Sequence, residues 1–163
     1  MNISVATQEQ LPIIRDLAFR IWPVTYGHIL SKDQFDYMME LMYSLPSLEK
    51  QWAHPKPFLL VEDQGEYIGF ASYEPNFENS SKTKIHKLYV LPNIQGKGIG
   101  RTLINYIRDT AQKAENTALI LTVNRFNSAR DFYLKQGFHI AEEKQFQIGN
   151  GYIMDDYMME LSL

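Results

Sequence analysis

The 163-residue chain contains no cysteine. That absence excludes disulfides, thiolate metal centres and any covalent relay through a protein thiol, and no metal is expected. A surplus of positive charge is missing too. Lys and Arg number 16 against 19 Asp and Glu, for a net charge of -3. A general nucleic-acid surface needs clustered cations that this balance does not supply, so no nucleic-acid partner is expected. No apolar run approaches the ~20 residues of a membrane span. Met1 to Val5 has neither a basic region nor an apolar core, which leaves no membrane partner and a cytoplasmic location as the expectation. Internal repeats and low-complexity segments are absent as well. The remaining composition, 45% hydrophobic and 21% charged, is that of an ordinary globular chain. One domain over residues 1–163 follows, able to bury roughly 68–70% of its unfolded surface.

The most informative stretch runs from Leu88 to Arg101. Ile85, Leu88 and Val90 lie in a short apolar run that Pro92 closes, because proline cannot continue a hydrogen-bonded ladder. Gly96, Gly98 and Gly100 then free the backbone of Cβ atoms, so that successive N–H groups can converge on an anion. Ile99, Leu103, Ile104 and Ile107 follow at helical spacing, and the unpaired first-turn N–H groups of that helix favour phosphate oxygens.

Spacing separates the nucleotide-binding motifs that compete for this turn. A Walker loop requires Gly-Lys-Ser/Thr, whereas Gly100 is followed by Arg101 and Thr102. The dinucleotide fingerprint requires Gly-x-Gly-x-x-Gly, and here the third glycine arrives one residue early. What remains is Gln-x-x-Gly-x-Gly, carried by Gln95, Gly98 and Gly100. A second motif stands downstream, from Asn127 to Phe138. Asn127 is a natural helix N-cap, Ala129, Phe132 and Tyr133 share a helical face, and Gly137 supplies the positive φ of a helix stop.

Together these two motifs resemble the GNAT superfamily of N-acetyltransferases, whose second motif reads Asn-x-Ala-x-x-Phe-Tyr-x-Lys-x-Gly-Phe. The likeness covers about residues 57 to 161 well and the N-terminal third in outline. It implies acetyl-CoA as the acyl donor. The pyrophosphate would be held by Gln95, Gly96, Lys97, Gly98, Ile99, Gly100 and Arg101, and the pantetheine by the ladder edge of Leu88, Tyr89 and Val90. Asn127 and Arg130 join the donor site, Arg130 with Lys97 and Arg101 as charged partners for phosphate. Arg125 reads as solvated surface charge. Gln95 stands where many relatives carry arginine, which leaves the phosphates more dependent on backbone N–H groups.

Period and punctuation place the other elements. Asn2 to Ala6 reads as a strand. Leu11, Ile14, Leu17, Ala18 and Ile21 mark a helix that begins near Gln10 and ends at Pro23. Ser31 and Gln34 form a capping-box pattern before a second helix to Tyr43. Leu48 to Ala53 reads as a further helical turn before Pro55 and Pro57. Strands follow at Phe58–Val61 and Tyr67–Tyr73, joined by a hairpin at Asp63-Gln64-Gly65, and at Thr83–Val90. Ala118–Val123 is an apolar run typical of a strand buried on both faces. Phe138 to about Glu142 and Tyr152 to Leu161 complete the set. The order gives an α+β fold, a mixed and mostly antiparallel twisted sheet of about seven strands with helices on both faces. This is the outline of the GNAT fold, in which the strands before the glycine turn and at Leu119–Val123 part at one end to form a cleft.

Acetyl transfer to an amine needs a held thioester, a neutral amine, oxyanion stabilisation and a proton for the departing thiolate. The resemblance puts the hydroxyl of Tyr133 near the coenzyme sulfur as that proton donor. His86 is the candidate base for the amine, on the expectation that its pKa lies near working pH. Trp22, Tyr26, Glu40 and Glu74 are candidate substrate-binding residues, with Asp36, Asp155 and Asp156 as further acidic attractions for a cationic amine. The expected acceptor is a primary amine on a small molecule, with loose likeness to relatives that acetylate polyamines. Two alternatives stand beside it: N-terminal acetylation of a peptide or protein, and a non-catalytic acyl-CoA sensor. A homodimer is a possible assembly, because the C-terminal strands of relatives often pair between chains.

Overall fold

Two changes of hydrophobic period organise the chain: helical to about residue 53, extended to residue 90, then alternating. The computed structural model describes residues 1–53 and 56–163. A first strand, β1 (Asn2–Val5), precedes three helices, α1 (Leu11–Tyr26), α2 (Lys32–Tyr43) and α3 (Leu45–Ala53). The break expected at Pro55 lies outside the described residues. Next come β2 (Phe58–Asp63), β3 (Glu66–Glu74), β4 (Lys82–Val90), α4 (Ile99–Lys113), β5 (Ala118–Asn124), α5 (Ala129–Lys135), β6 (His139–Gly149) and β7 (Tyr152–Ser162). Among the described residues no helix is long and apolar enough to cross a membrane.

The seven strands form one sheet in the order β1-β2-β3-β4-β5-β7-β6, antiparallel except for the β4–β5 pair. In β3 the residues from Ile68 to Tyr73 are buried without alternation, as a strand covered on both faces must be. On one face Phe70 meets Tyr43 of α2 and Tyr89 of β4, with ring centroids 6.1 and 5.5 Å apart. On that face α1 buries Leu11, Ile14, Leu17, Ala18, Ile21 and Trp22. On the other, α4 packs Ile99, Leu103, Ile104, Ile107 and Ala111 against β4 and β5. A fully buried side chain of this kind contributes roughly 1.5–3 kcal/mol, so these two stripes supply much of the drive to fold.

Several local expectations are revised. Pro23 does not end α1; the helix runs through it to Tyr26, and Gly27 closes the turn by donating its N–H to the Pro23 carbonyl at 3.0 Å. A Cβ at Gly27 would lie 2.4 Å from that oxygen, so only glycine fits there. The capping box at α2 is half made. Ser31 accepts from the Gln34 N–H at 3.2 Å, but the Gln34 side chain reaches instead to the Ile153 carbonyl of β7 at 3.1 Å. At α5 the cap is Ser128, and Asn127, one residue earlier, accepts from the Ala129 N–H at 2.9 Å. The strand expected to end near Glu142 extends to Gly149, because it pairs along its length with β7 in one long hairpin.

Candidate active site

β4 and β5 are paired only from Lys82–Ala118 to Ile85–Leu121. Beyond Ile85 the strands part, and among the described residues the β4 edge from His86 onward has no ladder partner on that side, which leaves backbone groups for a ligand. A cleft of about 750 Å³ opens there. Its wall includes His86, Leu88, Tyr89 and Val90 of β4, Thr122 and Val123 of β5, and Tyr26 from the end of α1. Continuation of α1 past Pro23 is what carries Tyr26 to this position.

At one end of the cleft lies the glycine turn. Gly96 and Gly98 adopt φ of +85° and +81°, and a Cβ at either would project into open space without repairing the left-handed strain. Gly98 is the N-cap of α4, and among the described residues no side chain caps that helix. Its first-turn N–H groups therefore face the cleft unpaired, a setting that suits an anion. Gly100 has a different reason. A Cβ there would lie 2.8 Å from Cζ of Phe132, so its absence lets α4 and α5 close on each other. Gln95 donates from Nε2 to the Val90 carbonyl at 3.2 Å, bracing the turn against the strand. A coenzyme diphosphate fits these residues: an uncapped helix start, a turn without Cβ atoms on its crest, and Arg101 in the wall.

Deeper in, hydroxyls and an amide meet. Tyr26 and Tyr89 share a hydrogen bond at 3.1 Å, and Asn127 Nδ2 donates to the Tyr26 hydroxyl at 3.5 Å. Tyr133 lies in the cleft wall beside Phe132 and Phe138, with centroids 5.3 and 5.6 Å away. Burial, and then the neighbouring Tyr26, push its phenol pKa well up, so it keeps its proton at any working pH.

His86 is the extra residue of a bulge, since Ser72 and Tyr73 of β3 pair with Lys87 and Ile85. Its Nε2 lies 2.8 Å from Glu74 Oε2, which also has Lys56 Nζ at 3.6 Å. The expectation of an imidazole pKa near working pH does not hold. Burial holds it down to about 4, the Glu74 hydrogen bond opposes this, and Lys84, Lys56 and Lys87 add to the depression. With Nε2–H donating to the Glu74 carboxylate, His86 is neutral at pH 7 and presents Nδ1 as an acceptor. Lys87 itself is lowered to about 8 by burial and by Lys56 and Lys84, and its ammonium donates to Gln51 Oε1 at 2.7 Å.

Of the residues singled out from the sequence, Tyr26, His86, Leu88, Tyr89, Val90, Gln95, Gly96, Gly98, Ile99, Gly100, Arg101, Asn127 and Tyr133 come together in the cleft wall. Trp22 does not; it is 2% exposed and packs against Tyr26, Tyr43 and Tyr89 in the core, because α1 turns that face to the sheet. Glu40 is exposed on α2 and stands outside the wall, as does Lys97. Glu74 reaches the cleft only through His86. Arg130 also lies outside the wall, its guanidinium drawn to Asp131 at 3.4 Å and over the Tyr157 ring at 5.8 Å. Arg125, read as a solvated charge, grips Asp155 through both Nε and Nη2, at 3.1 and 3.2 Å. Asp156, expected among the acidic attractions for a cationic amine, is 6% exposed and is not a lining residue of the wall. Only the β5–β7 pairing, which sets Asp156 opposite Asn124, reveals its burial. Among the described residues no three His, Asp or Glu side chains gather as a metal site.

Comparison with known proteins agrees with this geometry. Residues 13–138 match the model of the acetyltransferase (GNAT) family. The chain is 24% identical over 147 residues to a probable N-acetyltransferase of Mycobacterium tuberculosis, covering 86% of this chain and 80% of that one. It is 30% identical over 112 residues to the L-amino acid N-acyltransferase MnaT of Escherichia coli, covering 66% of this chain and 64% of the relative. The fold matches the PaiA N-acetyltransferase of Thermoplasma acidophilum, solved with coenzyme A, at a TM-score of 0.80 and 24% identity over the whole of both chains. A glycine turn, an uncapped helix start and a parted strand pair, within a family match of this extent, lead to one conclusion: the chain belongs to the acetyltransferase (GNAT) family and is an acetyl-CoA-dependent N-acetyltransferase.

Proposed function

We propose that this enzyme moves an acetyl group directly onto the primary amine of a small molecule, with no covalent enzyme intermediate. The observation that carries the reading is the cleft itself, in which the glycine turn, the free β4 edge and the Tyr133 hydroxyl face one space. Acetyl-CoA, when bound, supplies the activated acyl group and a thiolate leaving group. The N–H groups of the α4 start and the Arg101 side chain would hold its diphosphate, and the β4 edge would align its pantetheine. Tyr133 holds a proton on its hydroxyl, ready to give, and Tyr26, fixed by Tyr89 and Asn127, shapes the wall beside it. His86 accepts a hydrogen bond from the amine through Nδ1 and orients it, while Glu74 fixes the ring from behind.

A small acceptor is favoured by a bridge between α2 and the β6–β7 hairpin. Tyr37 donates to the Ile148 carbonyl at 2.9 Å, and its hydroxyl fills the space a Cβ at Gly149 would take. That contact ties α2 to the hairpin, so the two cannot part around an extended peptide without breaking it. Within small amines, Lys87 of the cleft wall, whose charge also acts on His86, favours an acceptor that carries a carboxylate over a polyamine. The name of the MnaT relative points the same way.

Thiol release measured over L-amino acids, spermidine and a peptide with a free N-terminus tests the reading. L-amino acids are expected to exceed spermidine in kcat/KM by at least about tenfold, the margin one favourable charge contact gives. A preference for the peptide or for spermidine would reverse the assignment, and binding of acetyl-CoA without thiol release would mark a sensor. A His86→Gln enzyme is expected to lose roughly tenfold in kcat/KM and to keep the acidic limb of its pH profile between pH 5.5 and 7.5, because His86 is already neutral there. A limb that disappears in this variant would restore His86 as the titrating base.

A further inference from the structure

Asp156 is a buried carboxylate, 6% exposed, and its Oδ1 has no hydrogen-bond partner among the described residues. Such groups are rare in folded proteins, because an unmade bond to a buried ionised oxygen is expensive, and each asks for a reason. Its position suggests one. Asp156 pairs across β7 with Asn124 of β5 and Lys144 of β6, so it shares their face of the sheet. Thr122, two residues before Asn124 and therefore on that same face, lies in the cleft wall, of which Asp156 itself is not a lining residue. This is also the face from which α1 delivers Tyr26, close enough for the Asp156 charge to be felt at the Tyr26 phenol. Asp155, its neighbour in β7, turns away and is held by Arg125.

We propose that the Asp156 carboxylate binds the ammonium group of the acceptor and takes its proton. This rests on the reading of the enzyme as an amine acetyltransferase. In that step an N–H bond of R–NH3⁺ breaks, the proton passes to the carboxylate, and the electron pair stays on nitrogen as the nucleophile R–NH2. The carboxylic acid so formed returns its proton to solvent after the product leaves.

The charges around the site are consistent with this role. Burial raises the Asp156 pKa to about 6, Asp155 raises it further, and Lys84 of β4 lowers it. Tyr26 faces it from α1, and Lys144 is its register neighbour on β6. His86 is a poorer proton acceptor than this carboxylate, because burial and its three lysine neighbours depress it. The folded protein holds the Asp156 proton more tightly than the unfolded chain, so stability conferred by the protonated form is present at low pH and is lost as pH rises through about 6.

The test compares wild type with Asp156→Asn, an isosteric change, using Asp155→Asn as the control. Calorimetry on CoA-saturated protein, with L-methionine and spermidine as probes, reads amine binding independently of turnover. Asp156→Asn is expected to weaken the better probe at least tenfold, to lower kcat/KM for it about 100-fold, and to remove the acidic limb near pH 6. Acetyl-CoA affinity should stay within twofold, which also reports that the variant is folded. Its melting temperature should rise above that of wild type at pH 8 and converge with it at pH 4, opposite to what loss of a structural carboxylate would do. Unchanged amine affinity with an unchanged limb overturns the proposal. So does a wild type that binds neither amine, or an equal loss in Asp155→Asn. Failure of the transfer reading looks different: amine and acetyl-CoA both bind, and no thiol is released.

Discussion

A Tyr133→Phe enzyme is expected to turn over at least about 100-fold more slowly than wild type while binding acetyl-CoA within twofold of its affinity. The side chain is buried between Phe132 and Phe138, with centroids 5.3 and 5.6 Å away, so phenylalanine keeps the packing and removes only the hydroxyl. Burial and Tyr26 hold the phenol pKa well above its ordinary value. The group is therefore protonated throughout the working range, and its loss should lower kcat evenly across pH without shifting any limb. Leaving-group assistance is worth most when the thiolate departs into a site with little water, where a poorly solvated anion has few other proton sources. Single-turnover measurements of thiol release, alongside calorimetry of coenzyme binding, separate the two parameters. Unchanged turnover would remove Tyr133 from the chemistry and leave it as a packing residue.

The second large effect belongs to Gly98. Valine at this position must adopt φ near +81°, a region that β-branched residues almost never enter, or else unwind the start of α4. Either outcome rotates the first-turn N–H groups away from a common point. Donor affinity should fall about 100-fold or more, with Gly98→Ala intermediate, since an L-residue in the left-handed region costs about 1–2 kcal/mol. The turn is exposed, so a melting temperature within a few degrees of wild type should accompany the loss. Gly100→Ala provides the contrast. Its methyl would press on the Phe132 ring, 2.8 Å from Cζ, so it should lower the melting temperature as well as donor affinity. Wild-type coenzyme affinity in Gly98→Val would mean that the turn does not hold the diphosphate.

The parts of this protein legible in the sequence are those written in contiguous residues. Seven strands, the helix order and the glycine turn all emerge from local periodicity and from the glycines and prolines that punctuate it. The Asn127 to Phe138 segment names its own helix and its stop. Longer range defeats that reading. Pro23 was a sound stop signal by local rules, yet the helix continues through it because α1 is clamped to the sheet along its whole apolar stripe. Trp22 could not be told from a ligand contact by composition, since core and cleft aromatics look alike until the neighbours are known. Glu142 looks like the end of a strand because the residues just beyond it, Glu143 to Gln145, are polar; pairing with β7 is what keeps the segment extended to Gly149.

By itself, then, the sequence determined the fold class and the glycine turn, since each depends on residues a few positions apart whose geometry the backbone dictates, while the candidacy of Tyr133 as proton donor came from the family resemblance. Tertiary structure alone decided which charges are buried. Asp155 and Asp156 are adjacent in the chain, yet successive residues of a strand face opposite sides of a sheet, and only the strand order shows that one side holds Arg125 and the other a carboxylate oxygen with no partner among the described residues. The same holds for His86, whose depressed basicity comes from burial and from Lys56, which reaches it only when the chain folds, beside its strand neighbours Lys84 and Lys87.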